Sequence, residues 1–204
     1  MTLHTTPRTL ASSRTAVGLL LLALAGAAQA HTGHGTTSFA QGLAHPLGLD
    51  HLLAMVAVGI WSVSALPARQ AWQGPAMFLG AMVAGAVLGL SGASVPFLEY
   101  LIAGSVVLCG VLLASAHLKL PHGVALACVA TSAAMHGLAH GAEAPGAGFG
   151  LYAAGFVLTT SALHLSGVVA GLYLRYRFAQ QATRCLTLAG AAFGASGVYL
   201  LTQV

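Results

Sequence analysis

Long apolar runs, separated by short polar or turn-forming connections, dominate the chain from residue 46 onwards. A helix rises about 1.5 Å per residue, so roughly 20 apolar residues are needed to cross a bilayer. We expect a membrane-spanning helix over each of six runs: 46–66, 72–91, 95–116, 121–141, 148–174 and 183–203. Because the connections are short, consecutive helices should run antiparallel. The pattern predicts an all-α membrane protein, a six-transmembrane-helix bundle after a cleaved N-terminal signal peptide.

The signal peptide is predicted over residues 1–30. Arg8 and Arg14 precede an apolar run over 16–26, and an Ala-Gln-Ala sequence ends at Ala30. These features are typical of the charged, apolar and cleavage regions of a signal peptide. We therefore expect residues 45–204 to form the transmembrane domain.

A periplasmic N-terminal segment is predicted over residues 31–44. Its histidines His31 and His34 leave a loose metal site open as an alternative to an exported tail without a role. With this segment outside, the positive-inside rule is satisfied, because every basic residue of the mature chain falls in an inner loop. These residues are Arg69, Lys119, Arg175, Arg177 and Arg184. We expect a multi-pass protein of the bacterial inner membrane with both mature termini periplasmic.

Composition agrees with a membrane location and excludes nucleic acid as a partner. The chain is 57% hydrophobic and 5% charged, against about 25% charged residues in a soluble domain. Its formal charge is +4, but no cluster of Lys and Arg could follow a phosphate backbone. The partner that this composition predicts is the lipid bilayer.

Glycines recur at a spacing of four within three of the predicted helices. Such pairs let helix backbones approach closely in lipid. They favour tight packing within the bundle or between copies of a homo-oligomer, and they indicate no chemistry. The pairs are Gly85 with Gly89, Gly167 with Gly171, and Gly190 with Gly194.

Ionisable side chains collect at the predicted outer surface, and they include every acidic residue of the chain. They are His45, Asp50 and His51 from the first helix, Glu99 from the third, and His136, His140 and Glu143 from the fourth. Unpaired carboxylates are costly in hydrocarbon, whereas a bound cation would supply the missing counter-charge. We therefore predict a metal site. His164 in the fifth helix is either an intermediate station below this site or a histidine that hydrogen-bonds to the neighbouring hydroxyls of Thr159, Thr160, Ser161 and Ser166.

Imidazole and carboxylate without converging thiolates suit Ni²⁺, Co²⁺, Zn²⁺ or Fe²⁺. A permease for such an ion is the first hypothesis, and the ion is then cargo instead of a resident cofactor. Without a Walker A sequence, the chain has no recognisable means of hydrolysing ATP. The alternative is an intramembrane zinc-dependent hydrolase using His136, His140 and a carboxylate, and a third hypothesis is a metal sensor or chaperone.

Two motifs resemble those of the HupE/UreJ family of nickel and cobalt permeases. One is His45-Pro46 followed by Gly48-Leu49-Asp50-His51 and Ala54-Met55; the other is His136-Gly137 followed by His140-Gly141 and Glu143. The resemblance covers the mature chain and implies a non-enzymatic metal uptake protein that supplies nickel-enzyme maturation proteins of hydrogenase or urease. It also implies metal-handling roles for His45, Asp50, His51, Glu99, His140 and Glu143, with Phe78 at a matching aromatic position.

Overall fold

The structure is a computed structural model that describes residues 38–118, 120–144 and 149–204. The predicted signal peptide, the His31/His34 tail and Lys119 lie outside the described residues. Helices, and no strands, make up the secondary structure of the described part. They are α1 (Phe39–Ala44), α2 (Leu49–Ala65), α3 (Gln73–Leu90), α4 (Leu98–Ala114), α5 (His122–Ala142), α6 (Phe149–Arg177) and α7 (Ala182–Leu201).

A helix lies over each of the six predicted apolar runs, but not all six qualify as membrane spans by length. Four helices are long and apolar enough to cross a membrane: Ala68–Leu90, His122–Ala142, Phe149–Arg177 and Ala182–Leu201. Phe39–Leu47 and Leu49–Ala65 pass together as one span with a bend of 73°. With 17 residues, α4 is shorter. The described chain is thus a multi-pass helical membrane protein with four or five candidate spans.

The short helix α1 is absent from the sequence-based prediction, although the sequence contains a signal for it. The backbone N–H of Gln41 donates to Ser38 Oγ over 3.2 Å, and the Ser38 N–H donates to Gln41 Oε1 over 3.0 Å. This reciprocal pair is a capping box, which satisfies two backbone donors at a helix start. A 3-10 turn, His45–Leu47, then joins α1 to α2.

Glycines bring together helices that are distant in sequence. A Cβ on Gly137 of α5 would overlap the Met82 carbonyl of α3, and one on Gly141 would overlap the Ala86 carbonyl. Because residue numbers rise together on both helices, α3 and α5 run in the same direction. The predicted role of the glycine pairs in packing within the bundle is confirmed here, since Gly85 and its partner Gly89 also contact α5.

Two further helix pairs have the same kind of close contact. Gly59 of α2 meets the His164 carbonyl of α6, and Gly171 of α6 lies against Ile60 and Val63, so residue numbers rise together and these helices run parallel. Gly110 of α4 lies against Gly190 of α7 in an antiparallel pair. These directions agree with helices that alternate along the chain, as predicted. The start of α2 and the end of α5 therefore lie at one end of the bundle, called the cluster end below.

Polarity is distributed as expected for helices in lipid. Phe78, Met55 and Leu113 are completely buried between helices, whereas many large apolar side chains on α3, α6 and α7 point outward. Exposed examples are Val83, Val87, Leu88, Leu158, Leu165, Val169, Leu172 and Leu188. The described arginines follow α2, end α6 or begin α7, opposite the cluster end, and Arg175 donates to the Val63 carbonyl there.

Candidate metal centre

Four histidine rings converge at the cluster end. The His45 ring lies 4.7 Å from that of His140 and 5.3 Å from that of His51, and the His51 ring lies 4.6 Å from that of His136. His51, His136 and His140 are buried, with exposed fractions of 2%, 0% and 8%. His45 comes from the 3-10 turn, His51 from the first turn of α2, and His136 and His140 from the last two turns of α5. The fold thus brings together the four histidines that the sequence assigns to one layer.

Potential ligand atoms form two overlapping groups within this cluster. In the first, one nitrogen each of His45, His51 and His140 lies within 4.8 Å of the others; in the second, the same holds for ligand atoms of Asp50, His51 and His136. His51 belongs to both groups. The described residues therefore offer a three-imidazole site and an adjoining site with a carboxylate.

Asp50 fixes the orientation of the His51 ring. Its Oδ2 lies 2.9 Å from His51 Nδ1, and both side chains are buried. The Nδ1–H donates to the carboxylate, so the other ring nitrogen, Nε2, points into the cluster. A carboxylate behind a histidine in this way is the usual outer-shell arrangement of metal-binding imidazoles, because it fixes the ring and increases its basicity.

Ser105 of α4 fixes the orientation of the His136 ring in the same way. The Ser105 hydroxyl donates to the Ile102 carbonyl over 2.7 Å, and its oxygen lies 2.9 Å from His136 Nε2. Since the hydroxyl proton is already used, Ser105 accepts from the Nε2–H of a neutral His136. The lone pair of His136 Nδ1 then faces His51 Nε2 at 3.4 Å. His51 Nε2 and His136 Nδ1 thus face each other, and the other nitrogen of each ring is held by a hydrogen bond.

One separation between ring nitrogens fits a bound metal ion, and another fits a shared proton. Ligand nitrogens about 2.1 Å from a tetrahedral ion lie about 3.4 Å apart, which is the His51–His136 separation. His51 Nε2 and His140 Nε2 are only 2.7 Å apart, so a proton is shared between them. A metal ion bound by both of these nitrogens has to displace that proton, because metal ligands must be deprotonated.

Aromatic side chains of α6 cover the cluster. The Phe156 ring lies 4.7 Å from that of His140 and 5.7 Å from that of His45, and the Tyr152 ring is 5.9 Å from His45. Both are buried. Thr159 of α6 donates to the Leu43 carbonyl over 2.9 Å, which holds the segment before His45 against this wall.

A cavity of about 370 Å³ opens beside the cluster between α2, α4 and the residues after α7. Asp50 and Glu99 both line it, together with Gln203. The Asp50 carboxylate therefore accepts from the His51 ring and also borders the cavity. The cavity therefore brings two carboxylates, Asp50 and Glu99, to one side of the cluster.

The remaining predicted residues occupy other places. Glu143 is exposed just after α5, and His164 is buried in the middle of α6. Within the described residues, neither of them nor Glu99 belongs to a compact ligand group. Sequence reasoning missed Ser105 and Phe156. A serine six residues after the Glu99 carboxylate gives no distinctive pattern, and a lone aromatic residue in an apolar helix gives even less.

Apolar helices around a buried cluster of histidines and a carboxylate define a multi-pass membrane protein with a candidate metal site. The sequence pattern of the family described as "HupE / UreJ protein" matches residues 19–200. The chain belongs to the HupE/UreJ family, as its motifs predict.

A curated relative agrees with this assignment. "Protein HupE" of Rhizobium leguminosarum bv. viciae is 39% identical over 191 residues, which cover 93% of this chain and 97% of the relative. No solved structure matches the chain.

Proposed function

We propose that the protein is a permease that takes up a divalent transition-metal ion, Ni²⁺ or Co²⁺, from the periplasm across the bacterial inner membrane. One observation carries the proposal: buried imidazoles from α2 and α5 converge with their ligand nitrogens facing each other, backed by Asp50 and Ser105. Membership of a family linked to nickel and cobalt uptake supports it.

The cavity beside Asp50 provides the capture step. Asp50 and Glu99 line it, and two carboxylates match the charge of a dication entering a medium of low polarity. The ion then exchanges water for the nitrogens of His51 and His136, and His45 and His140 complete an imidazole-rich shell. Such ligands suit Ni²⁺ and Co²⁺ better than they suit Ca²⁺ or Mg²⁺.

Orientation and driving force follow from charge. If the cluster end faces the periplasm, all described arginines fall on the cytoplasmic side, in agreement with the positive-inside rule. Inward movement of a dication then gains about 4.6 kcal/mol at 100 mV, from roughly 2.3 kcal/mol per charge. Release of the ion to nickel-enzyme maturation proteins and a homo-oligomeric state remain predictions.

Uptake of labelled nickel and cobalt by cells that express the protein tests the proposal. Asp50→Asn frees the His51 ring and removes a charge from the cavity, and His140→Ala removes a nitrogen from the first ligand group. Both variants should lose uptake while immunoblots show normal amounts in the membrane, and His117→Ala at the far end of α4 serves as the control. Wild-type rates in both cluster variants would overturn the proposal.

The alternative hydrolase requires His136, His140 and a carboxylate on one ion. In the described residues these histidines fall in different ligand groups that share only His51, so the geometry favours transport. Metal analysis after dialysis separates the two functions. A catalytic ion should remain bound, whereas a transported ion should exchange readily.

A further inference from the structure

His164 of α6 has a buried nitrogen that lacks a partner. The side chain is 2% exposed, and its Nδ1–H donates to the Thr160 carbonyl over 2.9 Å. Nε2 of His164 and Oγ1 of Thr160 have no hydrogen-bond partner among the described residues. Buried polar atoms are nearly always paired, and leaving one unpaired costs about 1–3 kcal/mol. With Nδ1 carrying the proton, the lone pair of Nε2 is oriented to accept a ligand.

His164 lies deeper in the bundle than the cluster. The His164 carbonyl packs against Gly59 of α2, which is two helical turns beyond His51 and therefore about 12 Å further along the axis. The Phe78 ring is close to both levels, 4.9 Å from the His164 ring and 6.3 Å from that of His136. Phe78 is completely buried, so its ring adjoins both His164 and the cluster.

The two levels differ in charge. Asp50 accompanies the cluster, whereas no carboxylate belongs to a compact ligand group with His164 in the described residues. A neutral imidazole with a nearby hydroxyl can bind a divalent transition-metal ion, but without a counter-charge it binds weakly. Weak binding suits a position from which an ion has to leave again.

We propose that His164 Nε2 is a second, transient ligand for the transported ion, reached from the cluster when Phe78 moves aside. The inference rests on the proposed function and adds a second stage to it. The alternative is a buried water that hydrogen-bonds to His164 Nε2 and Thr160 Oγ1, because such waters are common in proteins.

Replacing the His164 nitrogen with a different ligand atom distinguishes a transient metal ligand from a histidine that only binds a water. His164→Cys replaces imidazole with a thiol, which prefers soft ions such as Cd²⁺. Nickel uptake by this variant should be blocked by Cd²⁺ at a concentration at least about 10-fold lower than in the wild type. The matched control is Ser166→Cys, on the exposed side of the same helix. An unchanged Cd²⁺ response in His164→Cys, or the same response in both variants, would overturn the inference.

A second variant covers the case in which the cysteine impairs folding. His164→Gln should retain wild-type nickel affinity in equilibrium dialysis of the purified protein, because the cluster is intact, while its uptake falls at least several-fold. Uptake equal to wild type, or a parallel loss of binding, would contradict the inference. Failure of the proposed function would look different, since the wild type itself would then show no uptake.

Discussion

The cluster and His164 are two buried histidine sites in one bundle, and they differ in what holds the rings. His51 and His164 are each 2% exposed, yet His51 has a carboxylate behind it and further imidazoles in front, whereas His164 has a single hydrogen bond to its own helix. Burial alone therefore does not distinguish the two proposed sites. The partner behind each ring differs in charge, because His51 Nδ1 faces a carboxylate whereas His164 Nδ1 faces a neutral carbonyl.

Removing the ligand that both groups share should have the largest effect on metal binding. His51 belongs to both ligand groups, so His51→Ala should abolish stoichiometric nickel binding. The loss should exceed the roughly 10- to 100-fold cost of deleting an outer-shell partner. Calorimetry on detergent-purified protein measures it, with His117→Ala as the control. Retained binding in His51→Ala would place the high-affinity site elsewhere.

Removing the hydroxyl that accepts from His136 should have a smaller effect on metal binding. Ser105→Ala removes the hydroxyl that accepts from the His136 Nε2–H, so the ring can turn or carry its proton on the other nitrogen. We expect nickel affinity to fall about 10- to 100-fold. Ser105→Thr retains the hydroxyl and should restore most of it. Equal affinities in the alanine and threonine variants would show that Ser105 only fills space.

Moving the helix that carries half of the cluster should have the smallest effect. A Cβ on Gly137 would overlap the Met82 carbonyl, so Gly137→Ala must separate α5 from α3. Overpacking of this kind costs about 1–3 kcal/mol, and the displaced His136 and His140 should weaken nickel binding a few-fold. Gly80→Ala, which meets open space, is the control. Thermal unfolding and dialysis together test this, and identical results for both variants would contradict it.

Sequence predicted the helices well because the apolar runs are long and sharply bounded. The predicted start at 46 precedes the observed start of α2 at Leu49, since Pro46 belongs to a 3-10 turn instead of the helix. The directions of the helices were also predictable from their short connections. Which helices pair was not, because glycines occur along all of them and the contacts depend on tertiary packing.

For the site, ligand chemistry was easier to predict than geometry. Spacing put His136 and His140 on one face and a topology argument brought His51 to them, but spacing says nothing about tautomers. The roles of Asp50 behind His51 and of Ser105 behind His136 depend on contacts between helices that only the folded chain contains. The grouping of Glu99 and Glu143 with the imidazoles is still a prediction.

The 73° bend between Phe39–Leu47 and Leu49–Ala65 places the beginning of α2 inside the protein. A helix start carries about half a positive charge from its unpaired N–H groups, which by itself attracts anions. Asp50, in the first turn of α2, reverses the sign of that potential. One carboxylate thus makes this helix start favour a cation over an anion.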